Sequence, residues 1–393
     1  MAGWRNFPVR ILVLAIISFA LTITVVACSS NDDDDVEIEP TPTAVVTLTP
    51  EPTATPEPTP SPEPTATATA TATPEPTPEP TATVEPTPEP TPESEHRSTL
   101  TGEPVDEPPL RPIAVRIDNS PQARPHTGLV EADLIYESPT EAGITRFLAL
   151  YQTSAPEVVG PARSARLMDV DVAPMHDAAL AYSGASIGVQ DRLWQRGLPL
   201  LVLEGNASSA AWRDNSRSAP HNLFTSIPAL REVADSQGWN RLAENTPFTF
   251  GDTPDGGVAG AGVDIPFASG SVEFRFNEET DSYDRIVGGV EARDAVTDEI
   301  VSPRNVVVIW APFFVGDIAP NTRGEVSNDV DLYGSGNAWV LRNGERYEVE
   351  WRRDEQSDPF RFYDQSSGEE ISLAEGKTWI NLLPLDMSAQ AVD

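Results

Sequence analysis

Arg163 and Arg166 stand three residues apart in the stretch GPARSAR, residues 160–166, with Ser164 between them. A guanidinium presents a planar fork of N–H donors that matches a carboxylate or a phosphate. Gly160-Pro161 reads as a turn and Ser164 as the N-cap of a following helix, which would put Arg166 in that helix's first turn. The helix dipole disfavours a cation there by roughly 0.3–1 kcal/mol, so the arginines require a negative partner. Two kinds of partner satisfy the requirement. One is a bound phosphate, sulfate or carboxylate, held by free backbone N–H groups together with the guanidinium. The other is internal, and Glu137 and Glu141 in the preceding segment are the available carboxylates. Arg146 adds a further cation nearby.

Other polar residues can converge on the same place. Asp118 and Asn119 end a predicted strand, where α/β sheets tend to place their sites, and Arg124 follows in QARP. DNSP, residues 118–121, is equally an ordinary turn. His221 and Asn222 in APHNL sit in a predicted loop, where a histidine can act as a general acid or base or simply cap a chain end. His176, beside Asp177, reads as a helix-surface residue. The candidate ligand-binding set is therefore Arg163, Arg166, Ser164, Asp118, Asn119, Arg124, Glu137, Arg146, His221 and Asn222. The four histidines, His96, His126, His176 and His221, are scattered without the paired spacing of a zinc site, and no metal or other cofactor is expected. No Gly-x-Ser-x-Gly nucleophile elbow is present. SNDVDLYG, residues 327–334, lacks the spacing of a helical calcium loop, so Asp329 and Asp331 read as turn residues.

The elements that would position these groups fall into two parts. Residues 99–250 alternate strand and helix signals, which predicts an α/β layered domain. PIAVRIDN (112–119), VEADLIYES (130–138), ITRFLALYQT (144–153), ALAYSGA (179–185) and LPLLVLEG read as strands. SIGVQDRLWQRG reads as a helix stopped by Gly197, and Ser226 with Pro228 starts another. SARLMDVDVAPMHDA reads as a helix interrupted at Pro174. Residues 251–263 are Gly-rich and read as an interdomain linker; they lack the Gly-Lys-Ser/Thr ending of a phosphate-binding loop. Residues 264–393 run strand, turn, strand, with Asn343-Gly344 as a tight-turn signal, and predict a mostly antiparallel β domain. Its aromatics, Trp339, Trp351, Phe360, Phe362, Tyr363 and Trp379, fit the inward faces of strands.

The first 98 residues are of another kind. Arg5 and Arg10 precede an uncharged apolar run of 17 residues that ends before Cys28, the chain's single cysteine, as in a secretory signal. Val25-Val26-Ala27-Cys28 resembles the lipobox of bacterial lipoproteins, in which the cysteine is diacylated and becomes the mature N-terminus. The alternative is a plain transmembrane anchor, for which the run is a little short. Acylation of Cys28 would consume the only thiol and leave the folded part without a disulfide. Residues 29–98 repeat Thr, Pro, Glu and Ala after the block Asp32 to Asp35 and predict a disordered acidic linker. In polyproline II geometry about 60 such residues could reach on the order of 190 Å. With 61 Asp and Glu against 26 Lys and Arg, the charge argues against nucleic acid as a partner. Lys377 is the only lysine, so any cationic site must be built from arginine.

With these residues laid out, the chain resembles the YerB-like lipoproteins over residues 111–384, on RPIAVRIDNSPQARPHTGL, ADLIYESPTEAGITRFLALYQ, VGPARSAR, APHNLFTS, GSGNAWVLRNGERYEVEW, FRFYD and GKTWINLLP. The resemblance implies a membrane-anchored, extracytoplasmic protein with paired N- and C-terminal domains, and it supplies no reaction. The expected function is binding of an anionic envelope component, such as a phosphorylated glycan, a polyprenyl phosphate or an acidic peptide, through Arg163, Arg166 and their neighbours. A non-catalytic scaffold or protein-interaction module with structural arginines is the first alternative, and an envelope polymer phosphotransferase-like enzyme the second.

Overall fold

The computed structural model describes residues 95–244, 248–318 and 327–393. The expected signal segment, Cys28 and the linker up to residue 94 lie outside the described residues.

Residues 95–244 contribute β1 (His96–Arg97), β2 (Pro104–Val105), β3 (Ile113–Asp118), β4 (Leu134–Pro139), β5 (Thr145–Tyr151), β6 (Ala179–Tyr182), β7 (Leu200–Val202), β8 (Ala211–Arg213) and β9 (Leu223–Thr225). Three helices accompany them: α1 (Asp169–Met175), α2 (Ile187–Arg196) and α3 (Ile227–Ser236). The rest is β structure: β10 (Val258–Ala259), β11 (Gly262–Phe267), β12 (Gly270–Asn277), β13 (Ser282–Val287), β14 (Val290–Glu291), β15 (Asn305–Ala311), β16 (Phe313–Val315), β17 (Asn328–Val330), β18 (Gly334–Arg342), β19 (Glu345–Arg353), β20 (Arg361–Asp364), β21 (Thr378–Pro384) and β22 (Gln390–Val392). The first part is thus α/β and the second mostly antiparallel β.

Local signals explain many of these boundaries. The Ser186 hydroxyl accepts from the Val189 N–H at the start of α2, and Gly197 ends that helix at a left-handed φ of 68°. Ser226 caps α3 in the same way by accepting from Ala229. Asn343 and Gly344, with φ of 53° and 73°, form the two-residue turn between β18 and β19 that closes the pair Arg342↔Glu345. Residues 258 and 259, inside the Gly-rich stretch read as a linker, pair with β19 as an edge strand, and β11 begins at Gly262.

The two halves share one sheet. Its order is β10-β19-β18-β15-β21-β4-β5-β3-β6-β7, with β20 also paired to β19. The junction is the parallel pair β21·β4, in register Thr378↔Leu134 through Asn381↔Glu137. One apolar layer covers one face, joining Leu134, Tyr136, Leu148 and Leu180 with Val307, Ile309 and Ile380 and with α1 and α2. The other face carries Ile117, Phe147, Ala149 and Trp379, packed against α3 and against the five-stranded antiparallel sheet β14-β13-β12-β11-β22. We call these the α1 face and the β13 face.

Candidate functional site

β3 and β6 pair in parallel only over Ile113–Val115 and Ala179–Ala181. Beyond Val115 the chain 161–165 takes the place of β6 beside β3. The Asp118 N–H donates to the Pro161 carbonyl, and Arg163 N–H to the Arg116 carbonyl, at 2.9 and 2.8 Å. On its other side Ser183 N–H donates to the Arg163 carbonyl, and Ala165 N–H to that of Gly184. GPARSAR is therefore extended, and the expectation of a helix capped by Ser164 is corrected. α1 begins only at Asp169, after Met168 and without a side-chain cap, because the backbone donors and acceptors of 161–165 are already taken by the sheet. The segment starts at Gly160, whose φ of 151° and close approach to Leu223 and Phe224 leave no room for a Cβ.

This insertion brings four guanidinia together on the α1 face. Arg116 and Asp118 share that face of β3 through the two-residue pleat, and Asp118 stands opposite Arg146 on β5. Arg163 and Arg166 come from the inserted segment. Three carboxylates answer three of the four arginines. Arg116 Nη1 lies 3.1 Å from Asp169 Oδ1, Arg163 Nε 3.2 Å from Asp118 Oδ2, and Arg166 Nε 2.8 Å from Glu141 Oε2. Arg146 is the fourth. Its side chain is 9% exposed, its Nε and Nη1 are buried without a partner, and it makes no hydrogen bond or ion pair among the described residues. Burial, and then the charges of Arg166, Arg116 and Arg163, pull its pKa down to about 9.

Electrostatics divide the other members. Burial alone would raise the Asp118 carboxyl, but the His221 hydrogen bond and the Arg163 charge outweigh it and hold it below the usual range. Burial pushes Arg116 down and Asp169 up, so both ends of that pair are biased toward their neutral forms.

His221 arrives from the loop before β9. Arg217 anchors this loop by donating to the carbonyls of Ala123 and Pro125, both at 2.9 Å. The ring's Nδ1 lies 2.6 Å from Asp118 Oδ2 and 2.9 Å from Ser120 Oγ. A Ser-His-Asp relay needs the serine and the carboxylate on opposite ring nitrogens, so Ser120 is not a nucleophile activated by His221. Nε2 makes no hydrogen bond among the described residues and is open to a ligand. Asn222 points elsewhere, accepting from Arg213 Nη1 and donating to the carbonyls of Asp214 and Arg217, and it closes the β8–β9 loop.

The remaining predicted residues lie on the β13 face. Asn119 and Glu137 differ by one position from Asp118 and Ser138, and the pleat turns them the other way. Glu137 is 0% exposed and pairs with Arg285 of β13 at 3.0 Å, while Asn119 Nδ2 donates to Thr145 Oγ1 and Glu137 Oε1. Arg124 donates from Nε to Asn119 Oδ1 and from Nη2 to the Asn119 carbonyl. The suggestion that Glu137 answers Arg163 or Arg166 is thus corrected. Ser164 contributes only its carbonyl, which accepts from Arg166 Nη1 at 3.2 Å. His176, read as a surface residue, is fully buried with Nε2 at 2.7 Å from the Tyr136 hydroxyl.

Sequence reasoning left Arg116, Asp169 and Arg285 out of the candidate set. The signal for Arg116 was present: an arginine at an inward position of an otherwise apolar strand must meet a buried carboxylate. Arg285 carried no such signal, because its partner lies across two sheets. Among the described residues no three His, Cys, Asp or Glu side chains gather so as to hold a metal.

An assembly of this kind, with an α/β half and a β half sharing one sheet, has relatives. The N-terminal domain model of the protein family of unknown function DUF3048 matches residues 100–240, and its C-terminal domain model matches residues 263–380. The chain belongs to this family. It is 29% identical over 288 residues to the protein named "Putative lipoprotein YerB" of Bacillus subtilis (strain 168), covering 72% of this chain and 83% of that protein. The crystal structure of YerB from Bacillus subtilis superposes with a TM-score of 0.66 at 28% identity, over 75% of this chain and 99% of that one.

Proposed function

We propose that the protein is a lipid-anchored lipoprotein on the extracytoplasmic face of the cell membrane, whose α/β half binds an anionic envelope ligand at the arginine cluster. Support for the anchor comes from the lipobox-like residues before Cys28 and from the name of the Bacillus relative. Two acyl chains suffice for stable attachment, where one gives only marginal binding. The observation that carries the ligand is Arg146. A buried guanidinium without a partner is costly, and four guanidinia facing three carboxylates leave room for one more negative group. A phosphate on a glycan or a polyprenol, or the carboxylate of an acidic peptide, completes that balance. His221 holds through Nδ1 the same carboxylate as Arg163, and its open Nε2 gives a bound anion a further donor or a base.

The scaffold reading draws on a different observation. Arg163 and Arg166 already hold Asp118 and Glu141, as structural arginines do. Arg146→Gln separates the two. Under the binding reading, its melting temperature equals or exceeds that of the unaltered protein, and binding to vesicles containing undecaprenyl phosphate, or to phosphorylated wall glycan, is lost. A lowered melting temperature, with no binding of either probe by the unaltered protein, supports the scaffold instead.

A further inference from the structure

A cavity of about 290 Å³ lies on the β13 face between the chain 124–129 and the β13–β14 hairpin. Leu129, Val287 and Val301 wall it with apolar surface, and Arg124, Arg285 and His126 supply its polar groups. Val290 at its rim is 69% exposed.

The charges inside do not balance. Arg285 shares the buried Glu137 and is stacked between Phe147 and Trp379, with its guanidinium carbon 5.3 and 4.7 Å from the two ring centres. Its Nε is buried without a hydrogen-bond partner. Among the described residues Arg124 has only the neutral Asn119 as a hydrogen-bond partner, and after burial the Arg285 charge, opposed by Glu137, does most to lower its pKa. Glu291, the one acid in the lining, pairs at 2.6 Å with Arg293, a third lining guanidinium. His126 adds no positive charge. Burial drives its pKa down to about 3, and its Nε2–H is spent on the Asp118 carbonyl at 2.8 Å. The cavity's three guanidinia, Arg124, Arg285 and Arg293, thus face two carboxylates, Glu291 and, behind Arg285, Glu137, which leaves a surplus of one positive charge.

We propose that this cavity binds a small amphipathic monoanion, a carboxylate on an apolar body. A volume of 290 Å³ accommodates on the order of ten non-hydrogen atoms, taking about 30 Å³ for each. The carboxylate meets the guanidinia of Arg124 and Arg285, and the apolar body lies against Leu129, Val287 and Val301. One negative charge neutralises the surplus, and the absence of a third unpaired cation disfavours a phosphate dianion. The site is separate from the arginine cluster and does not depend on it, because the two occupy opposite faces of the sheet.

The experiment titrates octanoate into the full chain by calorimetry, with acetate and 1-octanol as the head and the tail alone. Octanoate is expected to bind saturably at one site, and each control about tenfold more weakly or worse. Arg124→Gln weakens octanoate by about tenfold or more, Arg124→Lys restores part of it, and Ala292→Trp, which fills the cavity, removes it. Arg146→Gln leaves octanoate binding unchanged. Melting curves of each variant establish that it is folded. The proposal is overturned if octanoate does not saturate a site, if 1-octanol binds as tightly, or if Arg124→Gln binds octanoate like the unaltered chain. Equal weakening by Arg146→Gln overturns it too, since the anion would then belong to the other face.

Discussion

The two faces of the shared sheet use the same residue types to different ends. On the β13 face, Glu137 and Arg285 are almost wholly buried, and Asn119, Thr145 and two aromatic rings complete their surroundings. This pair joins β4 of the first half to β13 of the second, and it is one way the two halves are held in register. On the α1 face, Arg116, Arg163 and Arg166 each have a carboxylate while Arg146 has none, and Arg163 and His221 remain about one-fifth exposed. Glu137 gives Arg285 its counterion and ties the two halves together, whereas Arg146 has no counterion and is prepared for a ligand. The difference teaches that arginine content alone does not mark the site; the count of partners does.

Breaking the buried Glu137–Arg285 pair should have the largest effect. Glu137→Gln leaves the Arg285 charge buried without its counterion, and urea denaturation should show a loss of about 3–5 kcal/mol. Adding Arg285→Met should recover part of that loss, since a neutral apolar side chain then replaces the stranded cation. If Glu137→Gln is silent, the β13 face is not the structural one.

Acid should act next, through buried neutral histidines. Burial lowers both His126 and His176 to about 3, below the ordinary unfolded value of about 6.5. The unfolded chain then binds more protons between these values, so this stability is complete above about pH 6.5 and declines as pH falls toward 3. Melting temperatures recorded from pH 7 to 4 should decrease. His176→Leu should flatten that limb, even though it removes the Tyr136 hydrogen bond and lowers the plateau.

Arg146→Gln is the contrasting test on the α1 face. Removing an unpartnered buried cation should leave stability unchanged or raise it by about 1 kcal/mol. A loss comparable to that of Glu137→Gln would erase the distinction between the faces. The smallest effect is expected where the pair is open to water. Arg192 and Asp317 are 45% and 75% exposed, and Arg192→Ala should change stability by no more than about 0.5 kcal/mol in thermal melts.

Much of this fold was legible from local signals. Ser226 with Pro228, Gly197 and Asn343-Gly344 each act on a few neighbouring residues, and each element they bound formed where expected. β3, β4 and β5 were legible because their apolar runs are buried on both faces. The candidate site was harder to read. Ser164 failed as a cap because the backbone of 161–165 found long-range partners in β3 and in Ser183 and Gly184 just after β6, which no local rule counts. Glu137 was assigned to the wrong arginines because a one-residue offset in a strand reverses the face, and the partner across that face came from residue 285.

By itself the sequence determined most of the element types, the division into an α/β half and a β half, and the chemistry any anion site must use, since all but one of the cations are arginine. These properties depend on composition and short-range pattern. The tertiary structure decided that the halves share one sheet through β21 and β4, that GPARSAR is a strand-like insert, and that Arg163 and Arg166 meet Asp118 and Glu141 while Arg146 has no hydrogen bond or ion pair among the described residues. Each of these outcomes is set by backbone hydrogen bonds between residues far apart in the chain. The pleat then assigns every side chain to one face or the other.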